Sequence, residues 1–142
     1  MTRVQLCRVL FLACAVLVIL TALSVATIVI PAVRFYIFPG ATPERAVPAF
    51  WVATASLAVT AIVFLVLAVR ARARRLGVTV TAALTSLVLL FLTLAFADAR
   101  AAYLAWGPGF HFPALVLLLC AAASLSAVVM GLSAALLLPK RV

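Results

Sequence analysis

Arg70-Ala71-Arg72-Ala73-Arg74-Arg75-Leu76-Gly77 joins two long apolar segments and brings four guanidinium groups within six residues. A single arginine at the centre of a bilayer costs about 2.5–3.5 kcal/mol even on a mild insertion scale, so four together would cost on the order of 10 kcal/mol. This stretch must therefore lie in water or among lipid headgroups. It divides the apolar segments before and after it into separate candidates for membrane spans.

The overall composition indicates an integral membrane protein. The chain has 142 residues, of which 70% are hydrophobic and 9% are charged. Soluble domains are about 45–50% apolar and about 25% charged. The net charge of +9 does not indicate nucleic-acid binding, because the basic residues lie at the ends of apolar segments, where anionic lipid headgroups attract them. We therefore expect no nucleic-acid partner.

The apolar segments predict an all-α four-helix transmembrane bundle that forms a single domain. About 20 apolar residues are needed to cross the hydrocarbon layer as an α-helix. The predicted spans cover residues 6–30, 49–69, 78–97 and 114–138. The first apolar segment follows a basic head, as in a secretory signal peptide, but it is longer than the usual 7–15 residue core of such peptides. We expect it to remain as an uncleaved span.

Prolines are expected to separate the spans. Pro31 is predicted to end the first span, and residues 32–48 are predicted to form a short surface loop, because prolines favour turns and lack a backbone donor. The third helix is predicted to continue beyond its apolar part to Ala105. Pro113 is predicted to end the turn before the fourth span.

The distribution of basic residues predicts that both termini face the cytoplasm. The N-terminal head, the arginine stretch and the C-terminal tail together carry most of them: Arg3, Arg8, Arg70, Arg72, Arg74, Arg75, Lys140 and Arg141. The other two connections carry Arg34, Arg45 and Arg100. Basic flanks remain on the cytoplasmic side. The lipid bilayer is therefore an expected partner, with anionic headgroups bound by Arg70, Arg72, Arg74 and Arg75.

Asp98 is the strongest candidate for a functional side chain, because acidic groups near a membrane boundary can form ion pairs or relay protons. Arg34 is expected on the same side of the membrane, at the end of the first span. Three roles remain open for Asp98: a solvated charge at a helix end, an ion pair with Arg34 that joins the first and third helices, and ion or proton handling.

The fourth span carries small residues at every fourth position. Such a stripe lets the backbones of two membrane helices approach closely. The stripe comprises Ala123, Ala127, Gly131 and Ala135. Packing within the chain is the favoured interpretation, and packing against another copy is the alternative.

Cys7 lies beside basic residues at the expected cytoplasmic edge, which suits reversible palmitoylation. The favoured interpretation, however, is a small buried apolar side chain. The three cysteines form no Cys-x-x-Cys pair, and the single histidine, His111, has no neighbouring ligand. The chain also lacks a Ser–His–Asp set and a Gly-rich phosphate loop. We therefore expect no enzyme activity, metal or other cofactor.

The topology and the segment Asp98-Ala99-Arg100-Ala101-Ala102-Tyr103-Leu104 resemble the MARVEL-type tetraspan proteins. The plant Casparian-strip branch of that family has an Arg on the first helix and an Asp on the third. Here Arg34 and Asp98 are expected at the outer rim of the bundle rather than inside it. The resemblance implies membrane organisation without catalysis, such as scaffolding or trafficking, in which partners are other membrane proteins or further copies of the chain.

Two alternative functions remain open from the sequence. The chain is also consistent with an accessory subunit of a larger membrane complex. A small transporter that uses Asp98 is the other alternative, although small proton-coupled exporters of similar length carry a glutamate within a span. This chain has no acidic residue in the body of any predicted span.

Overall fold

The computed structural model describes residues 2–36, 43–70, 75–105 and 111–137, and nearly all of these residues are helical. The elements in chain order are α1 (Arg3–Ser24), a π-helical turn (Val25–Val29), α2 (Ile30–Tyr36), α3 (Pro43–Val69), α4 (Arg75–Ala105) and α5 (His111–Leu137). Four helical segments are long and apolar enough to cross a membrane: Arg3–Phe35, Glu44–Val69, Gly77–Ala105 and His111–Leu137. This confirms the predicted all-α fold with four candidate spans.

The first helix begins where its sequence can satisfy the free N–H groups of a helix start. The backbone N–H of Gln5 donates to Thr2 Oγ1 at 3.2 Å, and the backbone N–H of Thr2 donates to Gln5 Oε1 at 3.1 Å. This reciprocal pair is a capping box. A Thr cap of this kind contributes about 1 kcal/mol to helix stability.

Pro31 lies inside the first membrane-spanning segment, so the prediction that it ends this span is wrong. A proline has no N–H to donate to the carbonyl four residues earlier, here that of Thr27, and its ring collides with that carbonyl in a regular α-helix. In the π-helical turn before it, Ile30 instead donates its N–H to the carbonyl of Val25, five residues earlier. The locally wider turn accommodates the proline, and the helix continues as α2.

The helices also start earlier than predicted, and prolines lie near the starts of two of them. Residues 43–48 belong to α3, and residues 111–113 belong to α5. Pro43 and Pro113 occupy the first turns of these helices, where the backbone N–H has no partner in any case and the fixed φ of proline suits a helix start. Pro48 also lies within α3. The prediction that α4 continues to Ala105 is confirmed.

The helices form a ring in the order α3, α1, α5, α4. The first span packs against α3 and α5, and α4 packs extensively against α5. Within the described residues, α1 and α2 make no extensive contact with α4. The segments α1–α2 and α4 are therefore diagonal neighbours. The remaining side of the ring, between α3 and α4, is only weakly packed.

Two thiol hydrogen bonds show that α1 and α5 run antiparallel. Cys7 Sγ donates to the carbonyl oxygen of Ala134 at 3.2 Å, and Cys14 Sγ donates to the carbonyl oxygen of Ala127 at 3.3 Å. A shift of seven residues toward the C-terminus of α1 therefore corresponds to a shift of seven residues toward the N-terminus of α5. Sulfur atoms can come this close to a neighbouring backbone only where the two helices are tightly packed.

A close-packed layer joins all four spans, at about the depth in the bundle where Cys7 and Cys14 contact α5. The rings of Phe11 on α1 and Phe64 on α3 stack with centroids 6.2 Å apart. A Cβ added at Gly131 on α5 would lie 3.1 Å from Phe64 Cε1 and 3.1 Å from Ser86 Oγ on α4. The absence of a side chain at Gly131 is what allows these helices to approach. The start of α1 and the end of α5 therefore lie at one end of the bundle, together with the end of α3 and the start of α4.

Candidate functional site

The weakly packed side of the ring is the candidate functional site, and we call it the α3–α4 groove. Consecutive helices joined by a short connection are usually close neighbours, yet α4 packs far more extensively against α5 than against α3. Three cavities follow one another along the groove, with volumes of about 510, 460 and 570 Å³. Each is lined by both α3 and α4, so the groove extends along nearly the whole length of these helices.

The groove is long enough to cross the hydrocarbon layer. Arg70 lines the cavity at one end, and Arg45 lines the cavity at the other. These two residues are separated by about 37 Å along α3 at a rise of 1.5 Å per residue. The hydrocarbon core of a bilayer is about 30 Å thick. In a membrane, both arginines therefore reach headgroup depth while the middle of the groove faces acyl chains.

The threonine hydroxyls in the middle cavity are already hydrogen-bonded, so they add few unpaired polar groups to the groove. Thr60 and Thr85 line this cavity on opposite walls. The hydroxyl of Thr60 donates to the carbonyl of Ser56 at 2.7 Å, and that of Thr85 donates to the carbonyl of Thr81 at 2.7 Å. Because each hydroxyl is bonded to its own helix, it does not need water or a ligand to satisfy it.

The largest cavity, which contains Arg45 and which we call the Arg45-end cavity, owes its space to short side chains. Six alanines line it, three from each helix, at intervals of three and four residues: Ala46, Ala49, Ala53, Ala95, Ala99 and Ala102. Phe50 and Phe96 lie among them and are buried. Small residues normally let two membrane helices approach closely. Here α3 and α4 remain apart, so the same residues leave an open volume.

Two opposite charges face this cavity from opposite walls. Arg45 belongs to the first turns of α3, and Asp98 belongs to α4. Both side chains are exposed and both line the cavity of about 570 Å³. The structure shows no ion pair within 4.0 Å between these two described side chains. A cation and an anion are therefore both available at the mouth of an otherwise apolar cavity.

The ion pair between Arg34 and Asp98, one of the three roles left open for Asp98, is not formed between these two described side chains. Arg34 is exposed on α2, and α2 packs against α3 and the π-helical turn. Asp98 lies on α4, diagonally across the ring, and Arg34 does not line the cavity that Asp98 faces. Both residues lie at the same end of the bundle, as expected, but an ion pair between them would require the first and third spans to be neighbours.

The small-residue stripe of α5 lies mainly inside the bundle. Ala127, Gly131 and Ala135 are buried, with the contacts to Cys14, Phe64 and Ser86 described above. Ala123 is half-buried and lines a small cavity of about 260 Å³ between α5 and α1. The contacts described for Ala127 and Gly131 are therefore made within the chain.

The structure favours the buried-residue interpretation of Cys7 over palmitoylation. The side chain of Cys7 is fully buried, and its sulfur faces the backbone of α5. Cys7, Phe11, Cys14 and Val18 recur at intervals of four and three residues, and all four are buried. This spacing places Cys7 on the packed face of α1. An acyl transferase has no access to a thiol in this position.

The structure describes only part of the predicted headgroup-binding set. Arg70 is exposed and lines the cavity at its end of the groove. Arg72 and Arg74 lie outside the described residues, and so does the side chain of Arg75. No acidic residue lines the cavity that contains Arg70. This end of the groove therefore differs in charge from the Arg45 end.

Comparison with known proteins finds no matching family model, no similar curated protein and no similar solved structure. The resemblance to MARVEL-type proteins therefore stays a prediction from topology. Within residues 2–36, 43–70, 75–105 and 111–137, no group of three or more His, Cys, Asp or Glu side chains is placed to hold a metal ion.

The α3–α4 groove was not predicted, although part of its signal is visible in the sequence. Ala46, Ala49 and Ala53 follow the three- and four-residue spacing of a helix face, and Ala95, Ala99 and Ala102 do the same on α4. This pattern predicts that both helix faces carry only short side chains. It does not reveal that the two faces oppose each other across an open space.

Proposed function

We propose that this protein is a non-catalytic multi-pass membrane protein that organises other membrane components through helix packing and lipid contact. The α3–α4 groove is the observation that carries the proposal. A bundle whose only task was to fold would gain packing energy by closing its fourth side, because membrane helices associate chiefly through van der Waals packing. Here three sides are closed and the fourth presents small residues to the bilayer.

The chemistry of the groove supports a contact surface. Its walls are mainly apolar, its threonine hydroxyls are bonded internally, and its charges stand at the two ends. Such a surface suits a molecule with an apolar body and a polar end. We further propose that the Arg70 end faces the cytoplasm, because basic residues are concentrated at the connection after Arg70 and at both chain ends.

Photo-crosslinking in native membranes tests the proposed function. One variant carries a photoreactive residue at Val59, which is exposed and lines the middle cavity. The matched control carries it at Val129, which is also exposed but lies on α5 away from the groove. We expect discrete adducts that survive purification at position 59, and only diffuse, low-yield lipid labelling at position 129.

The identity of the adducts separates the proposed function from its nearest alternative. Lipid adducts, or several different membrane proteins, support an organising role. A single protein at fixed stoichiometry would identify the chain as an accessory subunit of a larger complex. Equal yields at positions 59 and 129 would mean that the groove is no more a contact surface than the rest of the lipid-facing surface, and the proposal would be rejected.

A further inference from the structure

The Arg45-end cavity has the charge pattern of a site for a zwitterionic headgroup. Arg45 offers a planar set of N–H donors that suits a phosphate, and Asp98 offers acceptor oxygens that suit an ammonium group. The two side chains stand on opposite walls and do not pair with each other. A ligand that carries both charges can therefore satisfy both residues at once.

The cavity extends through much of one leaflet of a bilayer. From Arg45 to Ala53 the cavity follows α3 for about 12 Å, and from Asp98 to Leu92 it follows α4 for about 9 Å. Half of the hydrocarbon core is about 15 Å thick. The upper part of an acyl chain that starts beside the Arg45–Asp98 mouth can therefore lie within this cavity.

We propose that the Arg45-end cavity binds a phospholipid whose headgroup carries a phosphate and a primary ammonium, as in phosphatidylethanolamine. The phosphate contacts the Arg45 guanidinium, the ammonium donates to the Asp98 carboxylate, and one acyl chain lies against Ala53 and Ala95. This proposal deepens the proposed function, on which it rests, by naming the lipid that the groove contacts. The Asp98 carboxylate would repel a purely anionic headgroup, so its position in this cavity favours a headgroup that also carries a positive charge.

Native mass spectrometry of the full chain in a mild detergent tests this inference. The protein is titrated with dioleoyl-phosphatidylethanolamine, dioleoyl-phosphatidylcholine and dioleoyl-phosphatidylglycerol in separate experiments. We expect the ethanolamine lipid to bind about three- to fivefold more tightly than the choline lipid, because a quaternary ammonium has no N–H to donate and an exposed ion pair contributes modestly. The glycerol lipid lacks the ammonium and faces the Asp98 charge, so we expect it to bind more weakly than the ethanolamine lipid.

Matched variants assign the preference to the two charges. Asp98→Asn should abolish the preference for ethanolamine over choline, and Arg45→Gln should weaken the binding of both lipids. Glu44→Gln and Arg34→Gln remove exposed charges at the same end of the bundle that do not line the cavity. These two controls should leave the binding of all three lipids unchanged.

A third variant, Ala53→Leu, fills the cavity without changing its charge and should reduce binding of all three lipids. Equal affinities for the three lipids, or an unchanged preference in Asp98→Asn, would overturn the inference. A lipid-free dimer that forms through α3 and α4 would also overturn it. If the crosslinks at position 59 persist while the headgroup preference is absent, only this inference fails and the proposed function stands.

Discussion

Gly131→Ala tests the close-packed layer on which the bundle depends. The added Cβ would lie 3.1 Å from Phe64 Cε1, 3.2 Å from Phe64 Cζ and 3.1 Å from Ser86 Oγ. Ordinary van der Waals contacts start at about 3.5 Å, so the neighbours on two different helices must each move by a few tenths of an ångström. Both neighbours are buried, which leaves them little room to move.

The expected cost of Gly131→Ala is about 1–2 kcal/mol, within the range measured when one extra methyl or methylene group is forced into a packed core. In a soluble helix, the higher helix propensity of alanine would offset about 0.8–1 kcal/mol of this cost. In a bilayer that gain is largely lost, because the separated spans are already helical. A cost of 1–2 kcal/mol lowers the folded-to-unfolded ratio by a factor of about 5–30.

Equilibrium unfolding of the purified protein by titration with sodium dodecyl sulfate measures this cost, with helix–helix separation as the readout. Gly77→Ala is the matched control, because a Cβ added at Gly77 meets nothing within 4 Å. The cost of Gly131→Ala should also shrink in a Phe64→Leu background, since the two changes share one contact. If Gly131→Ala is no more destabilising than Gly77→Ala, the layer of α3, α4 and α5 does not pack as described.

Three further predictions follow from described contacts. Cys7 is fully buried against α5, so a membrane-permeant maleimide should label it only after denaturation, and rapid labelling of the folded protein would contradict its position. Arg34 and Asp98 lie on diagonal helices, so a double-mutant cycle of Arg34→Gln and Asp98→Asn should show a coupling free energy near zero; a coupling of about 1 kcal/mol would restore the ion pair. Thr2→Ala removes one half of the capping box and should lower helix stability by about 1 kcal/mol. Amide hydrogen exchange should become faster only in the first turn of α1, and an unchanged exchange rate at Gln5 would argue against the cap.

The four helices could be predicted from the sequence because the physical signal is local and large. Each apolar segment must satisfy its backbone polar groups internally once it enters a bilayer, and a helix is the simplest way to do so. The arginine stretch separates the second and third spans for the same energetic reason. These arguments depend on single segments and need no knowledge of how the helices pack.

The helix boundaries were harder to predict, because prolines have different consequences in different positions. Pro43 and Pro113 start helices, whereas Pro31 lies within one behind a π-helical turn. A π-helical turn can form before Pro31 only if the carbonyl of Thr27, which receives no hydrogen bond from the proline, can move aside without lowering the stability of the helix. Val29 and Ile30 directly precede Pro31 and are both buried, so the turn forms within the packed core of the bundle. Sequence rules for proline do not contain that information.

The neighbours of each helix could not be predicted from the sequence. The expected pair of Arg34 and Asp98 required the first and third spans to be adjacent, and the structure places α1 and α4 on a diagonal. The burial of Cys7, by contrast, was readable from its spacing to Phe11 and Cys14 on one helix face. The groove depends on the separation of α3 and α4, which is a property of the whole bundle rather than of either helix.

The oxygen accessibility of a nitroxide at position 53 tests the α3–α4 groove most directly. Single-cysteine variants in a cysteine-free background, reconstituted in liposomes, would carry the label at Ala53 in the groove, at lipid-exposed Val52 and at buried Ala61. Oxygen concentrates among acyl chains, so an open groove predicts that the label at position 53 collides with oxygen nearly as often as the label at position 52. An accessibility at position 53 as low as that at position 61 would show that α3 and α4 close against each other, and the groove would not exist in the membrane.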